Sequence, residues 1–263
     1  MEDLKMKPVR FCMTLCMSVA LTCCSVKEDR TVCPCRLFLD MNEIDNEGVE
    51  YASVFLTGSD GFIFKDIINS KDLSEHYFVD VPHGQISVWV SYGAGVDGVG
   101  PDGIIVPAGN EFPEIYMHHS WIDASGESVR EKVILNKNHC NITICLSASG
   151  EFPYCLELKG NVNGYHFDGT LSEGDFSYVM DVGDDGICEV SVPRQSDDSL
   201  RLEVRDESGT LRVFAIGEYI SASGYDWTEP DLRDLTIGLD YSLTNLTLIL
   251  EDWDNEYHYS VII

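Results

Sequence analysis

Short runs in which apolar and polar residues alternate are the feature that most constrains the fold of this chain. The clearest runs are RLFL at 36–39, QISVWV at 85–90, NITICL at 141–146 and LTLIL at 246–250. A period of two places every second side chain on one face of a strand, so each run predicts a half-buried β-strand. We find no convincing amphipathic helix and expect at most a short helical turn around residues 66–75. The chain is therefore predicted to be all-β.

A β-hairpin is predicted in LRLEVRDESGTLRVFAI, residues 200–216. Leu200, Leu202 and Val204 share one face of the first strand, and the charged residues between them share the other. The segment 206–209, DESG, supplies the turn because Asp and Gly readily adopt turn conformations.

A second hairpin is predicted near the end of the sequence, from the segments 246–250 and 257–263 around the turn DWDN. The sequence shows no spare segment after Ile263. The hairpin is thus expected to belong to the protein's own sheet or to be a strand offered to a partner, and the residues leave both options open.

Two domains are expected, with boundaries at 36–137 and 138–263. Residues 91–111 concentrate Gly and Pro and are interpreted as a long loop. Residues 118–132 follow before strand-like alternation resumes at Val133, and the domain boundary is placed after them, near residue 137. A faint repeat supports two similar units, because FVDVP at 78–82 and VSVP at 190–193 each precede a predicted strand.

The N-terminal residues 1–23 are predicted to be a signal peptide. An uncharged apolar run at 11–23 follows basic residues, and it is shorter than the roughly 18 residues that a membrane span needs. Glu2 and Asp3 are unusual in such a leader, so translation is expected to begin at Met1 or Met6.

The end of this leader resembles a bacterial lipobox, which predicts a lipid-modified N-terminus. Cys24 has Leu21 three residues before it and is the favoured lipidation site; Cys23, with Ala20 in that position, is the alternative. Residues 24–35 would then form a lipidated tether, and several acyl chains would hold it to the outer membrane.

The tether carries a charged cluster made of Lys27, Glu28 and Asp29. This cluster resembles the signal that exports Bacteroidetes lipoproteins to the outer face of the outer membrane. We therefore expect a lipid-anchored protein exposed on the cell surface.

The net charge of −28 argues against nucleic acid and anionic lipid headgroups as partners, and no cluster of Lys and Arg offers a local exception. Because 44% of the residues are hydrophobic, the composition is that of a chain with a core and not of a disordered acidic tail.

Catalysis is not predicted, and neither is a cofactor. The sequence lacks a Gly-x-Ser-x-Gly elbow, a His-Glu-x-x-His zinc helix and a phosphate-binding glycine loop. His118 and His119 are adjacent, so on a strand they point to opposite faces and are better interpreted as surface-loop residues than as ligands of one metal. His139 and Cys140 diverge for the same reason, which disfavours a thiol nucleophile with its base.

Two acidic clusters are interpreted as solvated turns and not as calcium sites, because such clusters are expected by chance in so acidic a chain and the loop at 181–186 lacks the spacing of a calcium loop. They comprise Asp181, Asp184 and Asp185, and Asp252, Asp254 and Glu256. Several aromatic residues could stack on sugars, which supports an alternative function as a surface glycan-binding lipoprotein. These are Tyr225, Trp227, Trp253, Tyr257 and Tyr259.

An exported chain can form disulfides. The cysteines that follow the lipobox are Cys33, Cys35, Cys140, Cys145, Cys155 and Cys188. Cys155 is expected to pair with Cys140 or Cys145, since a turn around residues 149–151 could bring the two flanks together.

Two segments resemble the FimB/Mfa2 family of Bacteroidales fimbrial proteins. They are CSVKEDRTVCPCRLFLDM at 24–41 and LRDLTIGLDYSLTNLTLILEDWDNEYHYSVII at 232–263. The resemblance implies two tandem transthyretin-like β-sandwich domains after a lipoprotein signal peptide. It also implies an outer-membrane anchor or accessory subunit of a type V fimbria, with stalk or accessory pilins as partners.

Within that family, an anchor is favoured over a stalk subunit. Strand exchange in a stalk requires removal of an N-terminal strand, and here the first strand, 36–41, begins only 12 residues after Cys24. A cut behind that strand would separate the lipid from the domain. After Arg36 the next arginine is Arg130, so no protease site is apparent there.

Overall fold

The computed structural model describes most of the chain after the tether. The described residues are 33–42, 44, 50–69, 71, 73, 77–95, 98–147, 152, 154–240, 245–252 and 255–262, with side chains left aside at 60 and after 244. The signal peptide and the lipidation and export residues Cys23, Cys24, Lys27, Glu28 and Asp29 lie outside these ranges.

The first half of the chain forms a β-sandwich. Its strands are β1 (Cys35–Asp40), β2 (Tyr51–Gly58), β3 (Ile63–Asn69), β4 (Tyr77–Val81), β5 (Gln85–Tyr92), β6 (Gly103–Ile105), β7 (Tyr116–Asp123), β8 (Ser128–Lys132) and β9 (Asn136–Lys137), with a 3₁₀ turn at Ser59–Gly61. One sheet has the order β4-β1-β8 and the other the order β3-β2-β5-β7-β9. Strand β6 instead pairs with the second half of the chain.

The second half forms another sandwich. Its strands are β10 (His139–Ser147), β11 (Cys155–His166), β12 (Leu171–Met180), β13 (Ile187–Pro193), β14 (Arg201–Asp206), β15 (Gly209–Phe214), β16 (Leu235–Asp240), β17 (Asn245–Asp252) and β18 (Asn255–Ile262); the helix α1 covers Ile216–Ala222. The two sheets have the orders β13-β10-β16-β17-β18 and β12-β11-β14-β15.

The two sandwiches repeat one topology. In each half the first strand, β1 or β10, pairs antiparallel with the fourth, β4 or β13, and parallel with a late strand, β8 or β16. The opposite sheets, β3-β2-β5-β7 and β12-β11-β14-β15, also correspond strand by strand. The faint sequence repeat falls on β4 and β13, which are equivalent strands.

This architecture confirms the predicted all-β fold of two sandwiches. All four alternating runs are strands, and the hairpin predicted at 200–216 is β14 and β15. Its three inward residues Leu200, Leu202 and Val204 are fully buried, and burial of each stabilises the fold by about 1.5–3 kcal/mol.

The structure differs from the expectation in two places. Residues 66–69 of the predicted helical turn belong to β3, whereas Lys71 has a 3₁₀ conformation and the residues on either side of it lie outside the described ranges. Residues 118–132, in which no strand-like alternation was recognised, contain most of β7 and all of β8. Neither strand shows the alternation of apolar and polar residues. Strand β7 packs on both faces through polar His and Ser side chains, and β8 is an edge strand with few apolar residues.

The segment 91–111, predicted as a loop from its glycines, contains the short strand β6. Strand β6 pairs with β11 across two glycines, Gly103 (φ 152°) and Gly164 (φ 157°). A Cβ at Gly164 would lie 2.0 Å from the carbonyl oxygen of Ile104. Glycine is needed there because the two backbones approach too closely for any side chain.

The β11–β12 turn packs against the outer face of the sheet β3-β2-β5-β7. The ring centroids of Phe167 and Phe55 are 3.7 Å apart, and Phe167 meets Trp89 edge-on at 5.8 Å. The Lys65 ammonium lies 4.8 Å from the centre of the Phe55 ring. Phe55 and Trp89 belong to the same buried apolar cluster as the core of the second sandwich, so the hydrophobic core continues across this junction.

Candidate functional site

The first strand, β1, lies in the middle of its sheet. Leu37 is opposite Val79 of β4 on one side and Val129 of β8 on the other. The side chains of Cys35, Leu37 and Leu39 are completely buried. Removing β1 would open a groove between β4 and β8 and expose this part of the core.

The outer face of the same sheet carries arginine and phenylalanine side chains. The guanidinium of Arg36 lies 4.8 Å from the centre of the Phe78 ring, and that of Arg130 lies 6.0 Å from the Phe38 ring. Arg36 Nε also donates to Asp80 Oδ1 at 3.0 Å. This arrangement depends on the parallel β1–β8 pairing, which joins residues far apart in sequence and was not predicted.

The C-terminal hairpin extends the sheet of the second sandwich. Strand β17 pairs with β16, and β18 pairs with β17 from Asn245 opposite Ile262 to Asp252 opposite Asn255. The predicted hairpin is confirmed, and its strands lie in the protein's own sheet with β18 at the edge. Trp253 and Asp254, at its turn, lie outside the described residues.

Glu157 and Glu203 sit opposite each other on the outer face of β11 and β14, and both are nearly buried. Two carboxylates in this position repel each other unless cations intervene. Lys159 Nζ lies 3.3 Å from Glu157 and 2.9 Å from Glu203, Arg201 lies 3.3 Å from Glu203, and Arg205 pairs with Glu157. Burial raises the pKa of Glu203, but hydrogen bonds from Lys159 and Thr210 outweigh it and lower the pKa.

A cleft of about 460 Å³ opens in the second sandwich between residues 194–198, after β13, and residues 225–228, after α1. Arg194 connects its two walls, because its guanidinium donates to the carbonyl oxygens of Trp227, Glu229 and Pro230. The cleft is lined by Leu171, Arg194, Gln195, Ser196, Asp197, Asp198, Ser221, Tyr225, Asp226, Trp227 and Thr228.

The carboxylates of this cleft are oriented by local hydrogen bonds. Asp226 Oδ1 accepts from the backbone N–H and the hydroxyl of Thr228 at 2.8 and 2.7 Å. Asp197 accepts from the Ser199 N–H at 2.8 Å and from Asn161 Nδ2 at 2.8 Å. The side-chain hydrogen bonds from Thr228 and Ser199 lower the pKa of Asp226 and Asp197, which keeps both charged near neutral pH.

The adjacent histidines His118 and His119 lie on strand β7. His118 bonds to Glu131 Oε1 at 3.1 Å, whereas His119 bonds to Ser87 Oγ at 3.1 Å and lies beside Trp89. Their partners belong to different sheets, as the opposite orientations of neighbouring strand residues require, although the segment is a strand and not a loop.

His139 and Cys140 are buried separately. His139 Nδ1 donates to the Ile115 carbonyl at 3.0 Å, and burial lowers the pKa of His139. Burial raises the pKa of the Cys140 thiol to about 12. A thiol with this pKa is protonated at neutral pH and is a poor nucleophile.

The cysteines of the described residues are free thiols. Cys155 lies on β11, while Cys140 and Cys145 lie on β10 in the other sheet. Strands β10 and β11 do not form the hairpin from which the pairing of Cys155 with Cys140 or Cys145 was predicted, and the disulfide itself stays a prediction.

The remaining candidate residues from the sequence, aromatic and acidic, do not form a common site. Tyr225 and Trp227 are buried with the core, so their rings are not open stacking platforms. Asp185 Oδ1 accepts from the Ile187 N–H at 3.0 Å, which is a turn contact. Among the residues that the structure describes, no group of three or more His, Cys, Asp or Glu could hold a metal ion. No helix in that part of the chain is long and apolar enough to cross a membrane.

Solved structures of candidate adhesins and fimbrial proteins share this fold of two β-sandwiches. A candidate polysaccharide-binding protein from Bacteroides thetaiotaomicron has this fold, with a TM-score of 0.60 and 14% identity over 86% of this chain and 98% of its own. The fimbrial anchor protein Mfa2 from Porphyromonas gingivalis has a TM-score of 0.59 and 13% identity over 88% of this chain and 98% of its own.

A candidate adhesin from Bacteroides ovatus also has this fold, with a TM-score of 0.56 and 14% identity over 86% of this chain and 96% of its own. The fold that the family resemblance implied is thus confirmed, and the fimbrial anchor Mfa2 is among the structures that share it. No family model matches the sequence. A comparison with curated proteins likewise finds no match.

Proposed function

We propose that the protein is the anchor subunit of a fimbria and that it tethers the fimbria to the outer membrane. In this proposal Cys24 carries the lipid, residues 24–35 form the tether, and Lys27, Glu28 and Asp29 direct the protein to the outer face. The two sandwiches, with a domain boundary near residue 137, project from that tether towards the stalk or accessory pilins.

The position of β1 is the observation that carries this proposal. An anchor must transmit force from its sandwich to its lipid, and β1 directly follows the tether. Because β1 pairs on both sides and buries Leu37 and Leu39, pulling on the tether loads the backbone hydrogen bonds of a central strand. A strand at the sheet edge would resist such a pull less well.

Likeness to the Mfa2 anchor over nearly the whole length of that chain supports the same function. The C-terminal hairpin supports it as well. A donated strand would be expected to lie free of the protein's own sandwich, whereas β17 and β18 complete a sheet.

Deletion of the gene tests the anchor function. Fimbriae should still polymerise but be shed into the medium. Electron microscopy, with immunoblots of cell and medium fractions, would measure the ratio of attached to shed fimbriae. A mutant that makes no polymer, or one that keeps its fimbriae attached, would contradict the proposal.

Lipid attachment is tested by mass spectrometry of the N-terminal peptide. We expect an acylated Cys24, and Cys24→Ser should release the protein from the membrane while the matched variant Cys23→Ser does not. Acylated Cys23 would shift the site by one residue, and an unmodified N-terminus would remove the lipoprotein interpretation.

The export cluster is tested by replacing Lys27, Glu28 and Asp29 with Ala together. The lipid should remain, but the protein should become resistant to protease added to intact cells. Unchanged protease access would show that the cluster is only a solvated part of the tether.

The polar cleft favours glycan binding as a second candidate function. Its size suits a small sugar, and its carboxylates and hydroxyls suit sugar hydroxyls; moreover, the protein from B. thetaiotaomicron with the same fold is described as a candidate for polysaccharide binding. Asp226→Ala and Thr228→Ala should then abolish retention on host and bacterial polysaccharides in affinity gels, with Asp185→Ala as a control. Equal retention of all variants would exclude the cleft.

A further inference from the structure

Three carboxylates line the polar cleft of the second sandwich. Asp197 and Asp198 belong to one wall and Asp226 to the other. Among the described residues that line the cleft, Arg194 is the one cation, and its guanidinium donates to backbone carbonyl oxygens and to an asparagine, not to a carboxylate. Three negative charges thus face one positive charge, and the walls keep an excess of negative charge.

Arg233, which lies behind the Tyr225 side chain, does not cancel this excess. Its guanidinium lies 5.5 Å from the centre of the Tyr225 ring, and its Nε lies 3.3 Å from Glu229 Oε2. This ion pair is neutral as a whole. A ligand with a positive charge therefore fits the cleft better than a neutral or an anionic one.

The carboxylates of the two walls are held apart by local hydrogen bonds. Asp226 accepts from the Thr228 N–H at 2.8 Å, and Asp198 accepts from the Ser221 hydroxyl. A metal ion needs several oxygen ligands in one compact shell. Carboxylates on separate walls are better suited to an organic ligand whose donors are several ångströms apart.

Two buried polar groups of the walls have no hydrogen-bond partner among the described residues. They are the indole N–H of Trp227, a residue that is 8% exposed, and the side-chain oxygen Oε1 of Gln195, a residue that is 2% exposed. Buried polar groups in proteins are nearly always hydrogen-bonded. Because both residues line the cleft, a molecule held there is the nearest source of the missing acceptor and donor.

We propose that the cleft binds a sugar that carries a free amino group. Such an amine is largely protonated at neutral pH, so it supplies the positive charge that the carboxylates lack. Sugar hydroxyls both donate and accept, which matches the needs of Gln195 and Trp227. This inference rests on the glycan-binding candidate function and names its ligand class, and it is independent of the anchor function.

The same charge selects against related sugars. Acetylation of the amino group removes the positive charge, and a uronic acid brings a carboxylate next to those of the walls. We therefore expect the cleft to discriminate between sugars by charge more than by the shape of the ring.

The test is a titration of the full mature protein, labelled with ¹⁵N, with glucosamine, glucose, N-acetylglucosamine and glucuronic acid, followed by NMR. The chain has four tryptophans and so four indole N–H signals, and Trp227→Phe identifies the signal of Trp227. Glucosamine should shift this signal and bind at least about ten-fold more tightly than the other three sugars, since a hydrogen bond to a charged group is the stronger kind. Its affinity should fall at high salt.

Asp226→Asn is the informative variant, because Asn keeps the Oδ1 acceptor for Thr228 and loses only the charge. It should weaken glucosamine about ten-fold and leave the affinity for glucose unchanged. Asp185→Asn, in the turn at 181–186, is the matched control and should change neither affinity. Circular dichroism verifies that the variants are folded, and Asp226→Asn decides the outcome if Trp227→Phe does not fold.

Several results would overturn the proposal. Equal affinity for glucosamine and glucose would remove the role of charge but leave the glycan-binding candidate standing, whereas no binding of any sugar, with no retention on polysaccharides, would remove both. Lysine methyl ester that binds as tightly as glucosamine would assign the cleft to cations in general. Equal loss of glucosamine affinity in Asp226→Asn and Asp185→Asn would place the binding elsewhere on the acidic surface.

Discussion

Burial disfavours the charged form of two histidines. Burial lowers the pKa of His119 although Asp168 acts in the opposite direction, and burial lowers the pKa of His139. An unfolded histidine titrates near about 6.5. The unfolded state therefore takes up protons before the folded state does as the pH falls below that value, and stability decreases.

The predicted result is full stability above about pH 6.5 and a progressive loss between about pH 6.5 and 5. Urea unfolding at these pH values measures it, and His119→Asn should reduce the slope. Asp226 and Asp197 have lowered pKa values, so their contribution is lost only in more acidic solution, below about pH 4. A stability that is flat between pH 7 and 5 would contradict the histidine assignment.

The glycine crossing of β6 and β11 gives a second prediction for a single residue. Backbone strain at a positive φ costs about 1–3 kcal/mol of unfolding free energy. Gly164→Ala should cost more than this, because its Cβ would also collide with the Ile104 carbonyl. Gly209→Ala is the matched control, since Gly209 also has a positive φ of 132° but no atom within 4 Å of the added Cβ. Equal loss of unfolding free energy in the two variants would show that backbone strain, and not the clash with Ile104, causes the destabilisation.

At the scale of elements, β1 and β4 contribute unequally to stability although they pair with each other. Leu37→Ala removes a fully buried side chain of β1 and should cost about 2–5 kcal/mol in unfolding free energy. Phe78→Ala on β4 removes a side chain that is 51% exposed and should cost clearly less. Denaturant melts measure both, and a larger effect of Phe78 would mean that its ring contacts with Phe38 and Arg36 are structural.

At the scale of the whole molecule, the junction formed by Phe55, Trp89 and Phe167 joins the two sandwiches through one apolar cluster. The intact protein should unfold in a single cooperative transition. Phe167→Ala should reduce the coupling and separate the melting of the two halves, with a coupling energy between Phe55 and Phe167 of about 0.5–1.5 kcal/mol in a double-mutant cycle. Calorimetry measures the number of unfolding transitions, and Phe78→Ala serves as a control outside the junction. Two transitions in the unmutated protein would contradict the predicted coupling of the two halves.

The alternating runs by themselves determined the fold class and the positions of β1, β5, β10 and β17, as well as the hairpin of β14 and β15. These features are predictable because a period of two and a turn residue are local properties of the chain. The short repeat at 78–82 and 190–193 likewise indicated two similar units, since it falls on strands with the same place in each sandwich.

Tertiary structure alone decided which strands lie at the edges, where charges gather and how the halves meet. Arg36 and Arg130 share a face because β1 and β8 pair in parallel, and Arg201 and Lys159 meet because β14 pairs with β11. Strand β7 escaped prediction because its polar residues pack against another element, and β6 because its glycines serve a close backbone contact. Each of these depends on residues distant in sequence, whose proximity is set by the pairing order of the sheets and not by any local pattern.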